Sequence, residues 1–351
     1  AQVSIKDWTK YSTELDRRLG RDNKLLQSIT HRSRMDQKRV VFAEADHHKI
    51  LKAAQVTYED GIATPILLGN KDRIMSIANE KGIEIGDLQI IDSRHNDQTE
   101  RRKAFADILF EKRKRRGFTY PEAIKIMRER NYFGAAMVES GQADALISGL
   151  TRNYPDTIKP ALQVIGTDPA IQHIAGMYVL TTKNGPLFLA DTTVNTNPTA
   201  EQLVEITVLV AEAVKRFRLK PRIAMLSYSN FGSSETDETI KVRNAVKILH
   251  EKHPDLIVDG EIQANFALNN QLLTEMFPFS KLVNQDTNVL IFPNLAAGNI
   301  AYKLMQEMGV GEAIGPILLG MNKPVHILQL GSSVREIVNM VTIAAVDAQT
   351  R

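Results

Sequence analysis

The stretch KRVVFAEADHHKILKAAQVTYEDGIATPILLG, residues 38–69, predicts the fold class. Its first part, KRVVFAEA, is rich in β-branched and apolar residues, as strands are. His47–Asp60 has the apolar spacing of a helix, and TPILLG (64–69) predicts a second strand. Strands that alternate with helices build parallel sheets with helices on their faces. The sequence therefore predicts an α/β protein.

The alternation continues along the chain. LQIID (88–92) and ADALISG (143–149) predict strands, separated by a long charged helical stretch to Arg130. In the second half, IAGMYVLTTK and PLFLADTTV flank Asn184-Gly185, a pair typical of hairpin turns. Further strands are predicted at RIAMLSYS, LIVDGEI, TNVLIFP and PVHIL, and helices at Thr199–Phe217 and Ser333–Ala348. Mainly parallel sheets flanked by helices are expected throughout.

Composition limits the class of protein. The chain has 351 residues, enough for two domains, with 43% hydrophobic and 24% charged residues. A net charge of +3 does not indicate a nucleic-acid partner, and the lack of cysteine excludes disulfides, thiolate metal sites and cysteine nucleophiles. No apolar run approaches the roughly 18 residues of a membrane span, so no membrane partner and a cytoplasmic location are expected.

The N-terminal region has its own pattern. Residues 1–37 are polar and helix-prone, and Trp8, Tyr11, Leu15 and Leu19 form an apolar stripe that predicts a docking helix. The chain begins with Ala1, from which we expect either a processed terminus or a piece of a longer polypeptide.

Several motifs fail as functional signals. Gly309–Gly315 has one residue too many for a dinucleotide fingerprint, and Gly315–Gly320 is followed by Met321-Asn322 where a phosphate loop requires Lys-Ser or Lys-Thr. The basic run Glu111–Gly117 is interpreted as a solvated helix face. His47-His48 lacks partners at metal-ligand spacing, so a polar helix start is expected there and no metal site.

Two segments are candidate ligand sites. AMLSYSNFGSSETDET (224–239) ends a strand in hydroxyl residues, but Ser227 and Ser229 have no sequence-local His as a base. A binding or strand-capping role is therefore expected. Glu235, Asp237 and Glu238 follow, and carboxylates there would satisfy the helix dipole and repel phosphate. FPNLAAGNIAYKLMQ (292–306) starts a helix with small residues, which suits either an anion or close helix–strand packing.

Six segments together resemble the phosphate acetyltransferase family. They are ADALISG…DTIKPALQVIGT (143–167), FLADTTVNTNPTAEQLVEI (188–206), AMLSYSNFGSS (224–234), DGEIQANFAL (259–268), FPNLAAGNIAYK (292–303) and GPILLGMNKPV (315–325). The resemblance implies a two-domain α/β fold that binds CoA in the cleft between the domains and forms dimers. It implies a first domain of residues 38–165 plus 316–351 and an inserted second domain of residues 166–315.

The departures from that family concern its catalytic residues. Active members end in a Lys-Pro-Val-x-Asp-Leu-Ser-Arg-Gly-x-Ser-x-x-Asp pattern, whereas this chain reads KPVHILQLGSSVRE (323–336). Gln329 stands for the Ser, Leu330 for the Arg and Glu336 for the Asp. A guanidinium is the natural clamp for a phosphate dianion, and leucine cannot replace it. The resemblance thus implies that binding is retained and that no catalytic residue remains.

SNFGSS, PNLAAGNIAY and KPVHIL resemble one subgroup most, the C-terminal phosphotransacetylase-like domain of bacterial NADP-dependent malic enzymes. In those proteins acetyl-CoA is an allosteric inhibitor. The resemblance implies that residues 1–37 are a helical linker from a preceding malic-enzyme domain. NADP and Mg or Mn would bind in that domain and not in this one. A homodimer within a larger homo-oligomer is expected.

The resemblance places an acetyl-CoA site on two walls. The thioester end would be lined by Ser227, Ser229, Asn230, Phe231, Ser233 and Ser234, and the opposing wall by Asn294, Asn299, Tyr302, Lys303, Gly315 and Pro316. Two alternatives stay open. The chain is a working phosphate acetyltransferase that uses Arg152 or Lys159 as the anion clamp, or it is a structural oligomerisation module with a vestigial cleft.

Overall fold

The structure of the protein is a computed structural model that describes residues 24–350. The docking helix predicted around Trp8 and Tyr11 lies outside these residues. The strands are β1 (Lys38–Phe42), β2 (Ala63–Leu68), β3 (Gln89–Ile91), β4 (Ala145–Ser148), β5 (Ala175–Thr182), β6 (Gly185–Ala190), β7 (Arg222–Leu226), β8 (Ile257–Ile262), β9 (Val289–Ile291), β10 (Glu312–Leu319) and β11 (Val325–Ile327). The helices are α1 (Lys24–Met35), α2 (His48–Glu59), α3 (Lys71–Lys81), α4 (Thr99–Arg113), α5 (Tyr120–Ile126), α6 (Arg130–Glu139), α7 (Tyr154–Val164), α8 (Ala200–Arg216), α9 (Asp237–Lys252), α10 (Ala264–Ala267), α11 (Asn270–Met276), α12 (Leu295–Glu307) and α13 (Val334–Ala348).

The first sheet is parallel, with the strand order β11-β4-β1-β2-β3. Its central strand β1 is buried on both faces, as expected for a parallel strand covered by helices. Val40 and Phe42 join an apolar core that includes residues of α2 and α13. Val41, which points to the other face, joins a second core that includes Phe105 of α4 and Phe133 of α6. The predicted α/β alternation is confirmed here.

The second sheet has the order β10-β5-β6-β9-β7-β8. The strands β6, β9, β7 and β8 are parallel to one another, whereas β5 runs antiparallel to both of its neighbours, β10 and β6. The hairpin between β5 and β6 is one residue away from the predicted position. Thr182 pairs with Gly185, so that Lys183 and Asn184 form the turn. Gly185 begins β6 at a φ of +110°, which favours glycine.

The charged stretch to Arg130 is largely helical, as predicted, but it is not one continuous helix. The structure divides this stretch into α4, a 3₁₀ turn at Lys114–Arg116, and α5. Gly117 follows the turn at a φ of +82°, which ends the helical path. Thr119 then begins α5 with a reciprocal capping box to Glu122. The spacing of Thr119 and Glu122 in the sequence is that of a capping box, but the continuous run of charged residues before it favours an unbroken helix.

The two sheets share one apolar core. It contains Val40 of β1, Phe188 of β6 and Met340 of α13. The chain passes from β10, an edge of the second sheet, to β11, an edge of the first, through residues 320–324. The division into domains stays a prediction, and its boundary between Gly315 and Pro316 falls inside β10. No helix within residues 24–350 is long and apolar enough to cross a membrane.

Candidate functional site

Two buried tyrosines and one glutamine meet where the two sheets approach each other. Tyr178 lies on β5 and Tyr302 on α12, and their exposed fractions are 2% and 3%. Their rings stack with centroids 4.1 Å apart at an interplanar angle of 13°. Gln329, in the exposed loop after β11, donates from Nε2 to the hydroxyl of Tyr302 (3.1 Å) and to that of Tyr178. We call these three residues the phenol cluster.

Gly315 leaves the space that the Tyr178 ring occupies. This glycine has a φ of +151° at the point where the register between β10 and β5 shifts. A Cβ atom at position 315 would lie 2.8 Å from Cδ1 of Tyr178 and 3.0 Å from the carbonyl oxygen of Met177. Since Cβ atoms do not approach other heavy atoms so closely, position 315 requires glycine. The predicted wall residues Gly315 and Tyr302 therefore both pack against the Tyr178 ring. Pro316 follows Gly315 in β10.

Tyr178 of the phenol cluster is neutral. Burial raises the pKa of Tyr178 far above its usual value, and Tyr302 and the carboxyl of Glu336 raise it further. Burial likewise raises the pKa of Tyr154, the first residue of α7, with a contribution from Asp191. Tyr154 also contributes to the raised pKa of Tyr178, so that α7 begins near the cluster. Phenols held in this way act as hydrogen-bond donors and acceptors and not as anions.

The three predicted degenerate positions make different hydrogen bonds and differ in exposure. Gln329 belongs to the phenol cluster, while Leu330 is 65% exposed. Glu336 forms a capping box with Ser333 at the start of α13, with 2.6 Å between Ser333 N and Oε2. Lys49 of α2 holds the loop between them, because its Nζ donates to the carbonyl oxygens of residues 331 and 332 at 3.0 Å.

The hydroxyl-rich loop after β7, residues 227–236, closes around a buried carboxylate. Glu261 of β8 has an exposed fraction of 0%. Its Oε1 accepts hydrogen bonds from Ser229 Oγ (3.0 Å) and from the Gly232 amide (2.8 Å). Ser229 is also fully buried, and its Oγ accepts from the Ser234 amide and lies 3.1 Å from Ser233 Oγ. Ser227 Oγ accepts from the Ser229 amide. The Ser229 hydroxyl therefore holds the loop in shape.

Arg243 of α9 completes this network. It donates from Nε to Glu261 Oε2 (3.2 Å), and from Nη1 to Glu235 Oε1 (2.7 Å). Burial alone would raise the pKa of Glu261, but Arg243 and the Gly232 amide hold it below its usual value. Lys241 pairs with Glu238 at 2.9 Å. Two of the three carboxylates expected to repel phosphate thus have cationic partners, which weakens the predicted repulsion.

The remaining predicted residues lie in the loop after β7 or at α12, and both of these segments contribute to one apolar cluster. Tyr178, Leu226 and Tyr302 are buried in it, and Phe231 packs against it from the loop. The amides support the local backbone: Asn230 Oδ1 accepts from the Gln263 amide (2.9 Å), Asn294 Oδ1 accepts from the Ala297 amide (3.0 Å), and Asn299 Nδ2 donates to the Thr192 carbonyl (3.2 Å). Lys303 is exposed, with Nζ 5.7 Å from the centroid of the Tyr302 ring.

A cavity of about 740 Å³ lies between the end of α4 and α7. Its basic residues are Lys112, Arg113, Arg116 and Lys159, and its apolar residues are Pro155, Ile158 and Leu162. Lys112 and Arg113 bond to the last carbonyls of α7, at Val164 and Leu162. Arg116 and Lys159 have no ion pair within the part of the chain that the structure describes. We call this cavity the basic groove.

The run at 111–117 is exposed, apart from the half-buried Arg113, as the interpretation of a solvated face predicts. Three of its side chains also line the basic groove, because the chain turns after Arg113. Arg152, the other candidate anion contact, is already paired with Glu129 at 2.7 Å. His47 begins α2 as its N-cap, and its Nδ1 accepts from the Lys49 amide (3.2 Å), as predicted for a polar helix start.

Sequence reasoning missed Tyr178, Glu261 and Arg243. Tyr178 lies within an apolar strand pattern, and Glu261 lies in the segment DGEIQ, which was noted without a role for its carboxylate. Arg243 is one of many basic residues on exposed helices. A buried carboxylate must be paired with a cation or hydrogen-bonded. A glutamate within an apolar strand was therefore a signal for a partner such as Arg243.

The sequence profile of one family, described as phosphate acetyl/butaryl transferase, matches residues 24–345. A phosphate acetyltransferase of Clostridium acetobutylicum is 35% identical over 332 residues, which cover 93% of this chain and 98% of the relative. An NADP-dependent malic enzyme of Escherichia coli is 36% identical over 352 residues, which cover 99% of this chain but 46% of the relative. The alignment lies in the C-terminal part of such malic enzymes. A phosphotransacetylase structure from Streptococcus pyogenes matches with a TM-score of 0.85 and 34% identity, covering 93% of this chain and 98% of that one.

Proposed function

The chain belongs to the phosphate acetyl/butaryl transferase family, and on this premise we propose that it binds acetyl-CoA without transferring the acetyl group to phosphate. Its role would be that of an allosteric regulatory and oligomerisation domain of an NADP-dependent malic enzyme. Oxidative decarboxylation of malate, with NADP and a divalent metal, would belong to the preceding part of that enzyme.

One observation carries this proposal. At the two adjacent positions where the family pattern has Ser and Arg, this chain has Gln329 and Leu330. Gln329 bonds to two phenols, and Leu330 is exposed and cannot donate. Formation of acetyl phosphate requires charge stabilisation on a phosphate dianion, and loss of one such donor costs on the order of 10²- to 10³-fold in rate. The loss of both positions favours binding without turnover.

The basic groove supports CoA as the ligand. CoA carries phosphates at one end and a thiol or thioester at the other. Helix α7 begins near the phenol cluster with Tyr154 and carries Lys159 in the groove. Arg116 and Lys159, which have no ion pair among the described residues, would take the phosphates, and the thioester would lie toward the cluster.

Regulation would follow from unequal binding. A ligand shifts an equilibrium between domain arrangements only by its difference in affinity for the two states. The chain corresponds to the C-terminal 46% of the malic-enzyme relative, so more than half of that protein precedes the matched region, and we assign its catalytic part to that segment. We propose that acetyl-CoA favours an arrangement of this domain, within a homodimer and a larger homo-oligomer, in which that catalytic part is inhibited.

A working phosphate acetyltransferase is the second candidate. The chain covers 98% of one relative with that name and 99% of another. The anion clamp would then be Lys159, or Arg152 after release from Glu129. This candidate requires turnover without the family's Ser and Arg.

Thioester formation from acetyl phosphate and CoA, followed by absorbance, separates the two. A known phosphotransacetylase is the positive control, and circular dichroism shows that the chain is folded. We expect no turnover, together with saturable heat on titration of acetyl-CoA in a calorimeter. Turnover near the control rate would make the chain an enzyme. A folded chain with neither turnover nor binding would indicate a structural module and overturn the proposal.

A further inference from the structure

We propose that the phenol cluster recognises the carbonyl oxygen of an acyl thioester, and that Gln329 thereby makes the site prefer acetyl-CoA to CoA. This inference rests on the proposed function and assigns the selectivity of the same site. It gives Gln329 a role of its own at a position where the family pattern has a different residue.

The first support is the hydrogen-bond arrangement. The Gln329 amide group donates to both phenol oxygens, of Tyr178 and Tyr302, so each phenolic hydrogen must point elsewhere. One hydroxyl can donate to the other, and the two do interact. At least one O–H donor is then left, and no acceptor for it is recorded within residues 24–350. The cluster can therefore donate to an added acceptor.

The second support is the charge around the cluster. Glu336 lies close enough to affect Tyr178, and Arg335 is bonded to Glu312 at 2.6 Å. Lys303 lies over the face of the Tyr302 ring. A phosphate dianion would meet phenol hydroxyls and a nearby carboxylate, and Lys303, which would attract it, is exposed and screened by solvent. The cluster therefore compensates a dianion poorly. A thioester carbonyl is a neutral acceptor and carries no such penalty.

The third support is that the donors are held in place. Tyr178 is fixed against Gly315 on one side and stacks on Tyr302 on the other. Buried and stacked rings lose little conformational freedom when a ligand arrives, so a hydrogen bond to them contributes more fully to affinity. A free thiol offers only a weak S–H donor and a weak sulfur acceptor in place of the carbonyl oxygen. The cluster therefore distinguishes the two ligands by one oxygen atom.

Titration calorimetry with three ligands tests this. Acetyl-CoA carries the carbonyl, S-ethyl-CoA has the same bulk without it, and CoA has neither. The variants are Gln329→Met, which removes the amide that donates to the phenols, and Tyr302→Phe, which removes one phenol hydroxyl. Both keep the approximate size of the side chain. Gln271→Met is the matched control, because Gln271 is also exposed and, among residues 24–350, its side chain bonds to Glu275 of the same helix.

We expect the wild type to bind acetyl-CoA more tightly than either analogue. Each cluster variant should weaken acetyl-CoA binding about three- to tenfold, the range for one neutral hydrogen bond. The affinities for CoA and S-ethyl-CoA should stay unchanged, and the Gln271→Met control should match the wild type for all three ligands.

Other outcomes would overturn the inference in distinguishable ways. Equal affinity of the wild type for all three ligands removes carbonyl recognition but leaves CoA binding, and with it the proposed function. A variant that weakens all three ligands equally indicates a structural role for the cluster. A folded wild type that binds none of them refutes the proposed function as well. Since Gln329 is exposed, Gln329→Met keeps the test valid should Tyr302→Phe fail to fold.

Discussion

Replacing Gly315 by alanine should destabilise the protein and displace Tyr178. The φ of +151° at this position suits glycine, and an alanine there costs about 1–3 kcal/mol in backbone strain. The added Cβ would also lie 2.8 Å from the Tyr178 ring and 3.0 Å from the Met177 carbonyl oxygen. Overpacking of this kind typically costs about 1–3 kcal/mol. The sum is a loss of about 2–6 kcal/mol in the free energy of unfolding.

Gly185→Ala separates the two contributions. Gly185 also has a positive φ, +110°, but a Cβ there would meet no heavy atom within 4 Å. This variant should lose only the strain of about 1–3 kcal/mol. Urea denaturation followed by circular dichroism gives both free energies. The expected difference between the variants is the steric part, about 1–3 kcal/mol.

Equal destabilisation by the two alanines would refute the steric argument. It would mean that the Tyr178 ring moves away without loss, and that Gly315 does not fix the phenol cluster. The same pair tests the link to the ligand. Gly315→Ala should weaken acetyl-CoA binding in the fraction that stays folded, whereas Gly185→Ala should not.

Three further predictions concern charge. Lys159→Gln and Arg116→Gln should each weaken acetyl-CoA binding about two- to fivefold in calorimetry, more at low salt than at high salt, whereas the exposed Lys323→Gln should have no effect. The double change Gln329→Ser with Leu330→Arg should raise the rate of acetyl phosphate formation by about 10² or more over the wild type. Leu304→Arg changes another exposed leucine and controls for the added charge. An unchanged rate in the double variant would show that other residues needed for catalysis are missing. Because the pKa of Glu261 lies below its unfolded value of about 4.3, its stabilisation is complete above that pH and is lost as the pH falls through the lower folded value. Glu261→Gln should therefore flatten the fall in unfolding free energy between about pH 5 and pH 3 in urea titrations, and a slope equal to that of Glu307→Gln would contradict the role of Glu261.

The sequence was sufficient for the features that depend on local pattern. The run at Val40–Phe42 predicts a buried strand because a central parallel strand is apolar on both faces. Thr199 and Ser333 begin helices with side-chain caps, at the predicted places. The hairpin was displaced by one residue, because either Asn184 or Gly185 suits a turn and only strand pairing decides between them.

The arrangement of the candidate site was not accessible in the same way. The bond between Gln329 and Tyr178 joins residues 151 positions apart, and the local periodicity of a sequence cannot predict a contact over that separation. Glu261 illustrates the same limit, because its partner Arg243 lies 18 positions away on another element. Family resemblance supplied Gln329 and Tyr302 as positions. It did not supply Tyr178, since that residue carried no motif of its own.

The change at residues 329 and 330 has two consequences that agree with each other. Phosphate requires a guanidinium and tolerates few nearby carboxylates, whereas a thioester carbonyl requires a neutral donor. With the exposed Leu330 in place of Arg, the guanidinium that phosphate requires is absent. With Gln329 bonded to two phenols, the neutral donor that a thioester carbonyl requires is present. A site changed in this direction would hold the acetyl group in place and leave it without an acceptor. Binding would then report the concentration of acetyl-CoA instead of consuming it, which is what a regulatory site requires.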